Sequence, residues 1–86
     1  MKAYKAFDKH LKCRGVQYQV GYTFTEDSPK IVACQAGIHA CLELNNIYNY
    51  YSKNYDTRVC EIEVVGDDYV RDGDKLACRT INVIRE

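Results

Sequence analysis

Nowhere in these 86 residues is there an uninterrupted apolar run near the ~20 residues that a membrane-spanning helix requires. The N-terminal stretch also lacks an apolar signal core, because Lys2, Lys5, Asp8, Lys9, Lys12 and Arg14 follow one another at short intervals. The expectation is a soluble, unexported, cytoplasmic protein. Proline occurs once, at Pro29 in Glu26-Asp27-Ser28-Pro29, which marks one loop. No linker, repeat or low-complexity segment divides the chain, so residues 1–86 read as one domain. Net charge is absent too: 12 basic side chains balance 12 acidic ones, which argues against a strongly basic face for duplex DNA. Catalytic signatures are missing as well. There is no His-Glu-x-x-His, no His-x-Glu with Pro-Cys-x-x-Cys, no Gly-rich phosphate loop, no dinucleotide fingerprint and no Ser-His-Asp set. A calcium loop started at Asp68 would put Val70 and Arg79 where an oxygen ligand and a glutamate belong. These absences argue against an enzyme.

What is present is the composition of an ordinary globular protein, 47% hydrophobic and 28% charged. Lys2 to Phe7 alternates weakly, as a strand would. Gln17 to Val20 and Tyr22 to Phe24 are aromatic and β-branched around Gly21, and Lys30 to Ala33 is a further short apolar segment. Leu44, Ile47, Tyr48 and Tyr51 recur at the spacing of one helical face, with Asn45 and Asn46 near the start. Arg58 to Val65 alternates sharply, Cys60, Ile62 and Val64 on one face and Glu61 and Glu63 on the other, which predicts a half-buried strand. Gly66 to Lys75 is expected as a polar turn leading to a last, antiparallel strand over Leu76 to Ile84. The fold class expected is α+β: a small, mainly antiparallel sheet with one packed α-helix.

The five cysteines bear on what staples so small a core. Their odd number and the reducing compartment disfavour a disulfide framework. Zinc takes thiolate and imidazole ligands in a closed tetrahedron, and Cys34, His39 and Cys41 fall within one short stretch containing Gly37. Cys13, before Arg14 and Gly15, is the best fourth ligand, and a structural Zn²⁺ held by Cys13, Cys34, His39 and Cys41 is the expectation. Cys60 and Cys78 alternate with apolar residues and read as buried free thiols, although Cys60 is the substitute if Cys13 is not a ligand. Two other readings stand beside it. All five thiols are reduced and buried and His39 merely sits at the surface, or a cysteine paired with His39 is a nucleophile with no orienting third group in sight.

Charge is unevenly spread. From Met1 to Arg14 there are five bases and one acid, and from Glu61 to Asp74 six acids (Glu61, Glu63, Asp67, Asp68, Asp72, Asp74) and one base. The acidic stretch suits a basic partner surface, against the plainer reading of a solvated turn. Of the eight tyrosines, Tyr48 and Tyr51 are expected to face the sheet, whereas Tyr50 and Tyr55 lie off that face and are interface candidates.

Tyr4-Lys5-Ala6-Phe7-Asp8-Lys9, Leu11-Lys12-Cys13-Arg14-Gly15-Val16-Gln17-Tyr18-Gln19-Val20-Gly21, Gly37-Ile38-His39-Ala40-Cys41 and Asn49-Tyr50-Tyr51 together resemble a family of small phage and prophage proteins. That family carries Lys-Cys-Arg-Gly-Phe-Gln-Tyr and Gly-Phe-His-Ala-Cys and has no assigned activity; Val16 and Ile38 replace its phenylalanines here. The resemblance implies that Cys13, Cys34, His39 and Cys41 are the motif positions and that Cys60 and Cys78 lie outside them. It also implies a bacterial host cytoplasm and a protein acting by occlusion. In its most specific form this is an anti-CRISPR inhibitor of a Cas9-type nuclease, docked through the acidic stretch. The alternative is a small zinc-bearing nucleic-acid-binding protein using Lys2 to Arg14 and the tyrosines.

Overall fold

The computed structural model describes residues 1–33, 35–50 and 56–86. Its elements are β1 (Lys2–Phe7), β2 (Lys12–Cys13), β3 (Val16–Gln17), β4 (Thr23–Thr25), β5 (Ile38–Cys41), α1 (Leu44–Ile47), β6 (Arg58–Asp72) and β7 (Lys75–Arg85). All strand pairs are antiparallel.

β6 and β7 form the long hairpin around which the rest is built. Their turn is two residues, because Asp72 pairs with Lys75, and Gly73 takes the positive φ of 64° that such a turn needs at its first position. One edge of β7 then carries two short strands end to end, β5 along Lys75 to Cys78 and β4 along Thr80 to Asn82. β1 pairs with β6 from Lys2↔Glu63 to Phe7↔Arg58, and Tyr4↔Cys41 joins β1 to β5. The ring β7–β5–β1–β6–β7 is thereby closed.

Closure lets alternation fill an interior. Ala3, Phe7, Cys60, Ile62, Ile81 and Val83 are each at most 4% exposed and share one apolar cluster inside the barrel. Burying a branched aliphatic side chain of this kind stabilises by roughly 1.5–3 kcal/mol relative to leaving it in water. The outer side of β1 has a smaller cluster of its own, Ala6, Cys41 and Ile47, with Tyr4 and Val59 against it.

The α+β expectation is overturned. Strand makes up 56% of the structure and helix about 5%, with a closed four-stranded β-barrel and no packed helix. The helical spacing amounts to a single turn, Leu44–Ile47, closed by a Glu43–Asn46 capping box. Only Ile47 is buried there; Leu44 is 44% and Tyr48 38% exposed, and Tyr51 lies outside the described residues. One turn fixes several dihedrals for one hydrogen bond, so without an apolar stripe to bury it does not propagate.

Among the described residues no metal cluster forms and the barrel has an apolar core of its own; Cys34, one of the four expected zinc ligands, lies outside the described residues. The expected turn Gly66 to Lys75 is also corrected, since β6 continues through it to Asp72. A register shift between Val65 and Tyr69 absorbs extra residues at Gly66, whose φ is 78°. Gln17 to Val20 and Lys30 to Ala33 are not strands; the first contributes only Gln17 to β3 and the second only the isolated bridge Val32↔Ala36.

Candidate functional site

Two places gather the residues that sequence singled out: a pocket beside the barrel wall and the outer half of the β6–β7 hairpin.

The pocket has a volume of about 190 Å³ and is lined by Cys13, Arg14, His39, Cys41, Tyr50 and Lys75 over a floor that includes Ala6 and Ile47. Two local structures aim these side chains. β2 and β3 turn through Arg14 and Gly15, both at positive φ (51° and 78°), which presents Cys13 and Arg14 at the tip. In β5, His39 and Cys41 are alternate residues and so leave the strand on the same side. β5 itself needs Gly37 before it. A Cβ at Gly37 would sit 3.2 Å from the Cβ of Ala77 and 3.2 Å from Cγ2 of Ile31, and φ there is +132°. At the far side, the Tyr50 hydroxyl donates to Asp74 Oδ1 (2.8 Å) and the Lys75 ammonium lies 4.9 Å from the Tyr50 ring centroid.

Three of the four expected zinc ligands, Cys13, His39 and Cys41, therefore line one pocket, and the fourth, Cys34, lies outside the described residues. The three do not fit an ion as they stand: among the described residues no group of three His, Cys, Asp or Glu side chains is close enough to hold one. His39 and Cys41 are carried by an extended strand rather than by a tight loop. The knuckle-like loop that would fold His39 and Cys41 back on one centre is an extended ladder paired to Lys75 and Ala77. The surroundings are also cationic, for Lys5 donates to Cys13 Sγ at 3.5 Å and Arg14 and Lys75 line the wall.

Protonation follows from burial. Burial pushes the Cys41 thiol up, with the Asp74 carboxylate adding to it, and burial pushes Cys60 and Cys78 up to about 11. All three are thiols at neutral pH. Cys60 and Cys78, both 0% exposed, belong to the barrel interior, where the alternation expects them. His39 is held below its ordinary range by burial and then by Arg14 and Lys5, so its imidazole is neutral; both ring nitrogens are buried without a hydrogen-bond partner among the described residues.

Lys5 is the residue that sequence reasoning missed. Counted in the basic stretch, it is 2% exposed, on the inward face of β1 with Ala3 and Phe7. Its Nζ donates to the His39 carbonyl at 2.8 Å and lies within 5.6 Å of the Phe7 and Tyr18 ring centroids. The available signal was the Ala3-Lys5-Phe7 alternation itself, which placed it on the apolar side. Lys2 is drawn to Glu61 (3.4 Å), so Lys2 to Arg14 does not present a continuous basic face.

The acidic stretch is likewise divided. Glu61 is flanked by Lys2 and Arg85, each at 3.4 Å, and Glu63 accepts from the N-terminal ammonium at 2.8 Å. Asp68 accepts from Arg79 Nε at 2.8 Å, and that same guanidinium donates to the carbonyls of Glu26 and Ser28, tying the bulge to the 26–29 loop. Asp74 takes the Tyr50 hydroxyl, which places Tyr50 in the pocket wall, and Tyr55 lies outside the described residues. Asp67 and Asp72 remain without an ion-pair partner among the described residues. Both sit in Val65–Asp72, where every residue is exposed and where, beyond the Val64 N–H bonded to Met1 O, no strand among the described residues pairs with the edge facing away from β7.

Comparison with known proteins adds a family but no activity. No curated protein and no solved structure matches the chain. A family model described as a domain of unknown function, DUF7666, matches residues 1–86 from end to end, and the chain belongs to that family.

Proposed function

We propose that this protein works by binding a protein partner rather than by catalysis, and that the outer half of the β6–β7 hairpin is the docking surface. The observation that supports this is the combination at Val65–Asp72, among the described residues, of exposed side chains throughout, one unpaired sheet edge and two carboxylates, Asp67 and Asp72, left without basic partners. An open edge offers main-chain hydrogen bonds to an incoming segment, and the two carboxylates favour a basic one.

The resemblance to small phage proteins supports a host defence protein as the target, and an inhibitor of a Cas9-type nuclease, whose nucleic-acid channel is basic, is its most specific form. The test is capture of candidate Cas nucleases by the wild-type chain and by a double variant, Asp67→Ala with Asp72→Ala. Capture by wild type that weakens at least tenfold in the variant, and that falls with added salt, is the expected result. Equal capture by both removes the hairpin from the account, and failure of every nuclease to bind removes the target class.

A further inference from the structure

Lys5 occupies a place that an aliphatic side chain would fill without penalty. Removing an amine from water is costly unless it is well partnered, and among the described residues no carboxylate stands within ion-pair distance of Lys5. Its polar partners are the His39 carbonyl, at 2.8 Å, and Cys13 Sγ, at 3.5 Å. The Phe7 and Tyr18 rings flank Nζ at 5.6 and 5.5 Å, and Tyr18 is itself 5% exposed and packed on Phe7, so aromatic surface walls the amine on that side. Cys13 is fixed from the other side, at the end of a two-residue hairpin whose ladder is Lys12↔Gln17 and Cys13↔Val16. Unlike Cys60 and Cys78, Cys13 is only partly buried and borders the pocket, so a small solute reaches its sulfur.

A thiol open to small oxidants and held against a confined primary amine is the arrangement that intramolecular condensation needs. The geometry points to Cys13 and Lys5 as a peroxide-responsive crosslinking pair that closes an Sγ–Nζ sulfenamide bond between β2 and β1. In the first step the Cys13 sulfur attacks a peroxide oxygen; the O–O bond breaks, Sγ–OH forms and one water leaves. Sulfenic acids condense readily with a neighbouring thiol or nitrogen. In the second step the Lys5 Nζ lone pair attacks Sγ, the S–O bond breaks, and the departing hydroxide carries off a proton from nitrogen as a second water. One peroxide is consumed, the sulfur is oxidised by two electrons, and the protein loses two hydrogen atoms. Two equivalents of an external thiol reverse it, restoring the thiol and the amine and leaving an external disulfide.

Cys41 borders the same pocket, so a disulfide from Cys13 to Cys41 is the competing product and has the same mass. The experiment must therefore locate the link. The full chain is treated with a few equivalents of hydrogen peroxide, digested with trypsin without reductant, and mapped by mass spectrometry. The expected result is a species in which Lys5 and Cys13 peptides are joined, lighter by two hydrogens, with cleavage after Lys5 lost and then restored by dithiothreitol. Cys41→Ser retains this species, while Cys13→Ser and Lys5→Met abolish it. Lys5→Arg, which keeps charge and approximate length but not a nucleophilic amine, abolishes it in a folded chain if Lys5→Met does not fold. Recovery of Cys13 in a disulfide with any other cysteine, or as a sulfinic acid with Lys5 still cleavable, overturns the proposal. The wild-type map decides this without reliance on any variant.

Discussion

Between Arg58 and Val64, β6 alternates buried and half-buried side chains, lies against β1 and from Glu61 is paired with β7 as well; between Val65 and Asp72 every residue is exposed and, among the described residues, only the β7 edge is paired. The backbone is extended through both halves, yet different forces hold them. The first half is held by desolvation of Cys60, Ile62 and Val64 inside the barrel, the second by a ladder of hydrogen bonds to β7 alone. Side chains in the second half contribute nothing to the barrel interior.

The largest effect expected from this contrast is on stability. Ile62→Ala, at a site 0% exposed, should cost about 2–5 kcal/mol in chemical denaturation, whereas Val70→Ala, at a site 38% exposed, should stay within about 0.5 kcal/mol. Similar losses at both would break the distinction.

Acidity should act next. The folded values of Asp8, Glu26 and Glu86 are depressed, by backbone N–H donors to Asp8, the Ser28 hydroxyl on Glu26 and the Arg58 guanidinium on Glu86. His39 is depressed by burial. Each contribution is fully present above the unfolded value and fades as pH falls through the folded one. Thermal melts should therefore begin to lose stability below the ordinary histidine value of 6.5 and lose more below the ordinary carboxylate values near 4. His39→Gln should remove the first part alone, and a variant melting with the same pH profile as wild type would show that His39 does not titrate in the fold.

A smaller effect still is expected of Asp67→Ala and Asp72→Ala, which should leave the denaturation midpoint within about 0.5 kcal/mol of wild type while weakening partner capture. Smallest of all is chelation. A barrel held by its apolar interior should melt at the same temperature with and without a strong zinc chelator, and a drop of several degrees would show a metal acting as a staple.

Much of this was legible locally. The Cys60, Ile62, Val64 alternation announced β6, and Lys2 to Phe7 and Leu76 to Ile84 marked β1 and β7, because each buries one face and a period of two follows. The outer half of β6 was not legible. Gly66 and three aspartates, Asp67, Asp68 and Asp72, spell a turn, and what keeps the segment extended is pairing with β7, a property of the partner rather than of the segment itself. Closure was invisible for a similar reason, since a single pair, Tyr4↔Cys41, decides between an open sheet and a barrel. The candidate site was half legible. The motif residues Cys13, His39 and Cys41 do meet in one pocket, but the strand geometry of β5 that spaces them, and the buried amine of Lys5 among them, depend on pairings distant in sequence.

The pairing of β1 with β6 has a consequence for the order of events during synthesis. Lys2 must wait for Glu63, and Phe7 for Arg58, so β1 has no long partner until the residues through Glu63 have followed it. The β6–β7 hairpin, joined by two residues, meets its partner at once, so it is the natural nucleus and β1 the piece that docks late. Such wiring makes the C-terminal strand indispensable and leaves a nascent chain that stops short of it with its apolar faces open to solvent, dependent on rapid completion to escape aggregation.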